Sequence, residues 1–478
     1  MNGPIRRVAV VVMLMFLALM LNASYSYVFR TESLSSDPAN RRVRDAEFGT
    51  DRGDILVGNT PIVTSTPVED RFGFQRTYNQ GRLYAGITGY YSFLYGGSGL
   101  ERTYSSQLAG TSDVQVLQNI VDAASGRRPQ GASLQTTLDA RAQQAAAQAL
   151  GDRPGAVVAL DYTTGGVLAM VTSPSFDPNA LASHDIAATQ TAWQQLNDDP
   201  AKPLTNRAVR EVYPPGSTFK LVVSAAALES GMTPDTTVAS PASLRLPDST
   251  FEMTGDCGGE EVSLRQALQV SCNTAYALLG DQLGADALRR QAEKFGFGSP
   301  VMPELNGVPS RFPTDPDRAQ TMLSAIGGFD VAASPLQMAM VVAGIANDGV
   351  VMEPHVVSQV RGADLNVIST HAPRPLSTAM SGANARALQD MMVSVVENGT
   401  GRRAQIPGVR VGGKTGTAVT ASAGSGSTRV PYAWFVAFAE DPTVAVAVFV
   451  QDAGVDGSEI SGGRYAAPVA QAVIEAVR

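Results

Sequence analysis

The hydrophobic and polar positions of this chain change their spacing several times, and the first change predicts a membrane anchor. Arg6 and Arg7 precede an apolar run without charge at residues 8–29. A run of that length can cross a hydrocarbon core about 30 Å thick. A cleaved signal peptide would have a shorter apolar core and a small-residue cleavage site, and no clean site of that kind is present. We therefore predict that residues 1–29 form a short cytoplasmic tip and one retained transmembrane helix.

The next part of the chain, residues 30–150, is predicted to be a separate strand-rich domain. It is rich in Gly, Ser, Tyr and Arg, with short alternating stretches such as RLYAGITGYYSFLYG at residues 82–96. Such alternation is typical of strands with many turns. An alanine-rich stretch follows at residues 134–152 and predicts a helix that ends near Gly151.

The remainder, residues 151–478, has strands at both ends and helices between them. The stretch at residues 155–173 predicts two strands joined by a tight turn, and three more strands are expected between residues 409 and 452. Helical spacing dominates residues 206–349, and a last helix is expected at residues 466–477. This order predicts a mixed α/β (α+β) domain with one sheet assembled from distant segments and covered by helices.

Composition narrows the class of function. A net charge of -8 and a pI near 5.1 argue against nucleic acid as a partner, because no basic block could neutralise a phosphate backbone. The two cysteines, Cys257 and Cys272, have no histidine nearby, which makes a zinc site a poor interpretation. Outside the cytoplasm they could form a disulfide, and two buried free thiols are the equal alternative.

Lysine is rare in this chain, and one lysine occupies a chemically suggestive position. Only four of the 36 basic residues are lysines, and Lys220 follows Ser217 by three positions at the start of an apolar helix. Residues three apart share a helical face, so the amine can reach the hydroxyl. Burial lowers the pKa of a lysine, and the neutral amine can then take a proton from serine, which arginine cannot do. The alternative is a serine cap with a lysine that extends to solvent.

Two later stretches complete a pattern. Ser271 and Asn273 are two residues apart at a break between helical stretches, so both side chains could enter one cleft. The sequence KTGT begins at Lys414 in a predicted strand and offers a positive charge, hydroxyl groups and a glycine that allows close approach. Each stretch alone is weak, but the ordered set Ser-x-x-Lys, Ser-x-Asn and Lys-Thr-Gly is the motif triple of penicillin-binding proteins and serine β-lactamases.

On these motifs the chain resembles a class B, monofunctional penicillin-binding protein. Segments elsewhere in the chain are also similar to family segments, among them RGDI at residues 52–55 and GLERTYSSQLAG at residues 99–110. Many members continue the first of these boxes with an Asp-Arg-Asn-Gly-like stretch, where this chain has LVGNTP. The resemblance implies a mainly antiparallel central sheet flanked by helices. It also implies that residues 30–150 are a pedestal or dimerisation-like domain and residues 151–478 a transpeptidase domain.

The resemblance also implies an activity, a compartment and partners. The activity is a peptidoglycan D,D-transpeptidase, anchored in the cell membrane by a single pass with its catalytic domain outside the cytoplasm. Its ligands would be stem peptides and β-lactams, and it would work with a membrane glycosyltransferase and other wall-synthesis proteins. No metal or cofactor is required for the reaction.

The family roles transfer to matching residues. Ser217 would be the nucleophile, Lys220 its base, and Ser271 the relay that passes a proton to the leaving amine near Lys414. Asn273 would bind the substrate amide. The KTGT segment would bind the end of the substrate. Thr415 and Thr417 would lie next to its terminal carboxylate, and Gly416 would allow its close approach.

Other functions stay open at this stage. A β-lactamase would need a glutamate for water attack, and Glu304 lacks the spacing expected of that residue. A D,D-carboxypeptidase differs only in using water as acceptor, and a non-catalytic scaffold of the wall-synthesis complex is the alternative of another class. A Ser-His-Asp triad is not expected, because all three histidines (His184, His355 and His371) lie outside the motifs.

Overall fold

The computed structural model describes residues 2–29, 48–115, 130–418, 431–454 and 460–478. Its first element is a helix, Asn2–Phe29, within which Gly3–Ser26 is long and apolar enough to cross a membrane. The most apolar part of this span is not buried against the rest of the structure. The apolar run thus forms the helix that a membrane anchor requires. Parts of the predicted strand-rich domain, residues 30–47 and 116–129, lie outside the described residues.

A five-stranded antiparallel sheet, the central sheet, forms the framework of the larger part of the chain. Its strands lie in the order Val411–Ala418, Tyr432–Ala439, Val444–Val450, Gly155–Asp161 and Val167–Ser173. The third of these strands pairs with the fourth, so the sheet joins segments almost 300 positions apart. The predicted hairpin, the three later strands and their assembly into one sheet are confirmed.

Helices cover both faces of the central sheet, which explains why its strands are continuous apolar runs. Along Val444–Val450 every residue is buried, and alternate side chains belong to opposite core clusters. The helices Ala140–Leu150 and Ala467–Val477 pack on one face. Pro335–Ala346 and Gly382–Glu397 pack on the other. The alanine-rich helix ends before Gly151 as predicted but begins only at Ala140, because Ser133–Thr136 is a strand. The last helix lies where the sequence predicts it.

The segment between the two parts of the central sheet is mainly helical, as predicted. Its helices are Lys220–Glu229, Leu264–Gln269, Asn273–Leu283, Ala285–Lys294 and Arg318–Ala325. Short 3-10 turns lie at Gly216–Phe219, Pro303–Leu305 and Arg402–Ala404. A short helix, Gly462–Tyr465, follows near the end of the chain. Three small antiparallel pairs accompany them, Thr237–Ala239 with Glu261–Ser263, Ser243–Arg245 with Glu252–Thr254, and Val350–Met352 with Pro375–Thr378.

A second sheet of six strands lies in the N-terminal part and takes strands from both halves of the chain. Its order is Val367–Thr370, Val357–Arg361, Ser133–Thr136, Ile55–Val57, Thr60–Pro67 and Phe74–Tyr78. The first two strands come from the later part of the chain, some 200 residues beyond the predicted domain boundary at residue 150. Sequence periodicity could not predict this pairing, because it carries no information about which distant strand becomes a neighbour.

The strand prediction for residues 82–96 was wrong over much of its length. Gly81–Thr88 is a helix, and only the two-residue strands Tyr91–Ser92 and Gly96–Gly97 pair in this segment. The buried positions of the helix include Tyr84 and Ile87, which are spaced for one helical face. The other helices of this region are Gly99–Thr103, Ser105–Leu108, Asn179–Ala182 and Ile186–Asp198.

A buried ionic network connects the two N-terminal boxes that resemble the family. Glu101 is fully buried and forms ion pairs with Arg52 at 2.9 Å and with Arg76 at 2.6 Å. Burial alone would raise the pKa of Glu101, but the two guanidinium groups outweigh that effect and lower it. Removing one partner of such a network leaves an uncompensated buried charge, so these residues fix the local fold.

Candidate active site

The segment before Ser217 is held in place by backbone contacts that only small residues allow. Gly216 has a φ of +53°, and a Cβ atom on it would lie 2.7 Å from the carbonyl oxygen of Thr417. The indole of Trp434 donates a hydrogen bond of 3.0 Å to the Pro214 carbonyl. The nucleophile turn therefore packs directly against the strand that carries the KTGT motif.

Lys220 begins the helix after Ser217, and its side chain is completely buried. Its Nζ atom donates hydrogen bonds to the Ser271 carbonyl at 2.8 Å and to Asn273 Oδ1 at 2.7 Å. Burial, together with the neighbouring charge of Lys414, holds the pKa of Lys220 well below its usual value of 10.5. A neutral amine has two N–H groups and one lone pair. With both N–H groups donated to these oxygens, the lone pair stays available for a proton.

The expected contact between Lys220 and the Ser217 hydroxyl is not among the hydrogen bonds of the described residues. The Nζ atom instead faces Asn273 and Ser271, whose hydroxyl oxygen is 3.4 Å away. Ser217 lies in the 3-10 turn Gly216–Phe219 and the α-helix begins only at Lys220, and the amine is directed to two carbonyl oxygens. Ser217 lines the same cleft that these two residues line.

Ser271 lies between the helices Leu264–Gln269 and Asn273–Leu283, and Asn273 is the first residue of the second helix. Ser271 has a left-handed backbone with a φ of +61°, a strained conformation for a residue other than glycine. The intervening Cys272 is buried and forms a disulfide with Cys257, with the Cα atoms 5.3 Å apart. The structure thus decides between the bridge and the two free thiols in favour of the bridge, and it ties the strained turn to a second segment.

Lys414 approaches Ser271 from the opposite side. It is completely buried in the strand Val411–Ala418, and its Nζ atom donates hydrogen bonds to Ser271 Oγ at 2.8 Å and to the Thr415 carbonyl at 2.9 Å. Burial lowers the pKa of Lys414 from 10.5 to about 7. Gly416 is required two positions later, because a Cβ atom there would lie 2.9 Å from the Pro215 carbonyl.

These elements enclose a cleft of about 450 Å³. Its lining includes five residues that the sequence singles out, namely Ser217, Ser271, Asn273, Thr415 and Thr417. Lys220 and Lys414 are buried behind the lining. The cleft is also lined by four residues that sequence reasoning missed, namely Thr400, Ser461, Gly462 and Gly463. Their only signal was the glycines around them, and glycine alone does not indicate chemistry.

The histidines and Glu304 do not line this cleft. His355 and His371 stack on each other with ring centroids 3.8 Å apart, and His184 contacts Asp70. Glu304 accepts a hydrogen bond of 2.7 Å from Tyr104 and belongs to the contact with the N-terminal part. None of these four residues is placed to activate Ser217 or a water near it.

Two family profiles match most of the chain. One is described as the penicillin binding protein transpeptidase domain and matches residues 155–475. The other is described as the penicillin binding protein A dimerisation domain and matches residues 52–134.

Relatives and solved structures agree with these profiles. Peptidoglycan D,D-transpeptidase PbpA of Mycolicibacterium smegmatis is 42% identical over 100% of this chain and 99% of the relative. The PbpA of Mycobacterium tuberculosis is also 42% identical, with the same coverage. The ceftriaxone acyl-enzyme complex of penicillin-binding protein A from M. tuberculosis matches with a TM-score of 0.87 and 41% identity, over 90% of this chain and 99% of that chain. The chain therefore belongs to the class B penicillin-binding proteins, as its three motifs indicate.

Proposed function

We propose that this chain is a peptidoglycan D,D-transpeptidase that cross-links stem peptides through an acyl-Ser217 intermediate. The observation that carries the proposal is the arrangement of two buried lysines, Lys220 and Lys414, around Ser271 at the base of the cleft that Ser217 lines. The relatives are named D,D-transpeptidases, and the penicillin G complex of the M. tuberculosis protein is an acyl-enzyme. β-Lactams are expected to acylate the same serine here.

Acylation begins with neutral Lys220 as base. It takes the proton of Ser217, whose oxygen bonds to the penultimate D-Ala carbonyl carbon of the donor stem peptide. The backbone N–H groups of Ser217 and Thr417 stabilise the resulting oxyanion. Ser271 passes a proton to the leaving nitrogen as the peptide bond breaks, and D-Ala leaves.

Deacylation reverses these steps with a different amine. The amine of a neighbouring stem peptide attacks the ester carbonyl, loses its proton to the basic groups of the site and releases Ser217 as a hydroxyl. Asn273 holds the substrate amide. Thr415 and Thr417 face the terminal carboxylate, the positive charge of Lys414 lies behind them, and Gly416 allows the donor peptide to approach the strand.

The proposal extends to the placement of the protein. Residues 1–29 are the cytoplasmic tip and the single-pass anchor, residues 30–150 the pedestal domain, and residues 151–478 the transpeptidase domain outside the cytoplasm. The anchor helix and the dimerisation-domain match at residues 52–134 support this division. Because the reaction needs glycan strands next to the anchor, a membrane glycosyltransferase and other wall-synthesis proteins are the expected partners.

Mass spectrometry of the benzylpenicillin adduct tests the proposal. We expect one adduct on Ser217, none in Ser217→Ala, and a normal adduct in Ser461→Ala, which changes another serine that lines the cleft. Turnover of a stem-peptide mimic with and without an added amine then separates the acceptors. Product formed with water alone would identify a D,D-carboxypeptidase. Equal labelling of wild type and Ser217→Ala would remove Ser217 from its role, and no labelling of either would favour a scaffold.

A further inference from the structure

Thr400 lies on the wall of the cleft and contacts the KTGT strand through its hydroxyl group. It follows the helix Gly382–Glu397 and lines the same cavity as Ser217. Its Oγ1 atom is 2.6 Å from Oγ1 of Thr415, a short hydrogen bond between two hydroxyl groups. None of the three motifs includes Thr400.

The backbone around Thr400 is fixed from two sides. A Cβ atom on Gly399 would lie 2.3 Å from the carbonyl oxygen of Gln269, two residues before Ser271. A Cβ atom on Gly463 would lie 2.6 Å from the carbonyl oxygen of Thr400 itself. The β-branched side chain of threonine then has few rotamers, so its hydroxyl has a defined position.

The hydrogen-bond capacity of the two hydroxyls decides their direction when a substrate is bound. Each hydroxyl has one hydrogen and two lone pairs, so one of the two must donate to the other. An ionised carboxylate only accepts. Thr415 must therefore give its hydrogen to a bound carboxylate, and only Thr400 can then be the donor between the two. A chain of hydroxyls polarises along its length, which strengthens the final bond to the anion.

We propose that Thr400 is a positioning residue that orients the Thr415 hydroxyl towards the terminal carboxylate of the donor stem peptide and of β-lactams. The inference rests on the proposed function, because it needs a carboxylate next to Thr415. Thr415 is only 8% exposed, so few water molecules can replace Thr400 as its donor. In this arrangement Thr400 acts through Thr415, and the role does not require it to touch the carboxylate or the reacting atoms.

Full-length protein in detergent, with benzylpenicillin and its methyl ester as probes, tests this role. Thr400→Val keeps the shape and removes the hydroxyl, and Thr400→Ser keeps the hydroxyl. We expect Thr400→Val to lower the second-order acylation constant about 10-fold for benzylpenicillin and less than 2-fold for the ester. The loss should lie in the binding constant, and Thr400→Ser should restore most of it. In a Thr415→Val background the Thr400 substitution should have no further effect.

Two results would overturn the inference. An equal loss with the acid and the ester would make Thr400 a merely structural residue, and no loss with either would remove it from the site. If Thr400→Val does not fold, Thr400→Ala and Thr400→Ser allow the same comparison. The proposed function fails separately, if wild-type protein forms no benzylpenicillin adduct at all.

Discussion

Lys414 donates a hydrogen bond of 2.8 Å to the Ser271 hydroxyl, although 143 positions separate the two residues in the chain. Lys220 donates to the carbonyl oxygen of the same serine at 2.8 Å. Two buried amines thus meet at one residue, and burial makes two positive charges so close together unfavourable. The pKa directions indicate how the pair shares its protons. Burial lowers the pKa of both amines, and the charge of Lys414 lowers that of Lys220 further, which suits Lys220 to the neutral role.

Lys220→Arg is expected to abolish acylation. A guanidinium stays protonated at any pH at which the protein is folded, so it cannot take the Ser217 proton. Loss of a general base costs roughly 100- to 10,000-fold in rate. The benzylpenicillin adduct, followed by mass spectrometry at fixed times, measures the effect.

The matched control for this prediction is Lys294→Arg, which makes the same change at an exposed lysine. It should acylate like the wild type. Because arginine is larger than lysine and position 220 is completely buried, Lys220→Met serves as the size-matched second variant. Acylation at the wild-type rate in both position-220 variants would contradict the proton-acceptor role.

The pH dependence of acylation should have an alkaline limb that begins near neutral pH. Burial lowers the pKa of Lys414 to about 7, and the positive charge of its protonated form attracts an anionic β-lactam. The second-order acylation constant, which reports the free enzyme, should therefore fall about tenfold per pH unit above pH 7. When the protein is saturated with β-lactam, the bound carboxylate favours the protonated form of Lys414. The first-order acylation constant should therefore fall only at higher pH.

Lys414→Arg provides the control for the alkaline limb. Arginine remains charged across the whole range, so the limb should disappear even if the variant is slower throughout. Rates from stopped-flow mixing between pH 5 and pH 10 give both profiles. A limb of unchanged position in Lys414→Arg would assign it to another group.

Lys414 should also lower the stability of the folded chain in a pH-dependent way. The pKa of Lys414 is about 7 in the folded chain, against an ordinary value of 10.5 for lysine. Between these two pH values the unfolded chain therefore binds more protons at this residue than the folded chain does. The free energy of unfolding therefore rises with pH over this range. Below pH 7 the folded chain bears the full destabilising effect of a charged, buried Lys414. Lys414→Met should gain stability over the wild type, and this gain should be larger at pH 6 than at pH 10 by on the order of 4 kcal/mol.

Denaturant unfolding of both proteins at the two pH values measures this difference, since titrating groups other than Lys414 and its neighbour Lys220 cancel in the comparison. Lys294→Met changes an exposed lysine and should differ from wild type by about 0.5 kcal/mol or less at either pH. A Lys414→Met effect that is the same at pH 6 and pH 10 would show that Lys414 does not carry a shifted pKa in the folded chain.

The sequence predicted most of the central sheet, because its strands are long apolar runs that periodicity detects. It also marked the motif residues, since a lysine beside a serine has a recognisable chemistry. It did not predict the helix Gly81–Thr88, whose short pattern fits strand and helix alike. Nor could it place Val357–Arg361 beside Ser133–Thr136, because that neighbour is set by long-range packing. Thr400 was missed for a similar reason, since its role depends on a residue that only the fold brings near.

The disulfide Cys257–Cys272 was also beyond the sequence, because spacing alone does not decide whether two thiols meet. It closes a loop with a sequence separation of 15, for which the chain-entropy model gives about 3 kcal/mol of stabilisation. Cys272 lies between Ser271 and Asn273, so the bond also holds the strained turn that presents them. We therefore expect Cys257→Ser with Cys272→Ser to lower the free energy of unfolding by about that amount and to slow acylation. Thiol titration of the unfolded, oxidised wild type should find no free thiol, and two free thiols would refute the bridge. If the double variant lost stability but acylated at the wild-type rate, the bond would support the fold without positioning Ser271, and the strain at that residue would be held by its contacts with the two lysines and its backbone hydrogen bond to the Leu268 carbonyl.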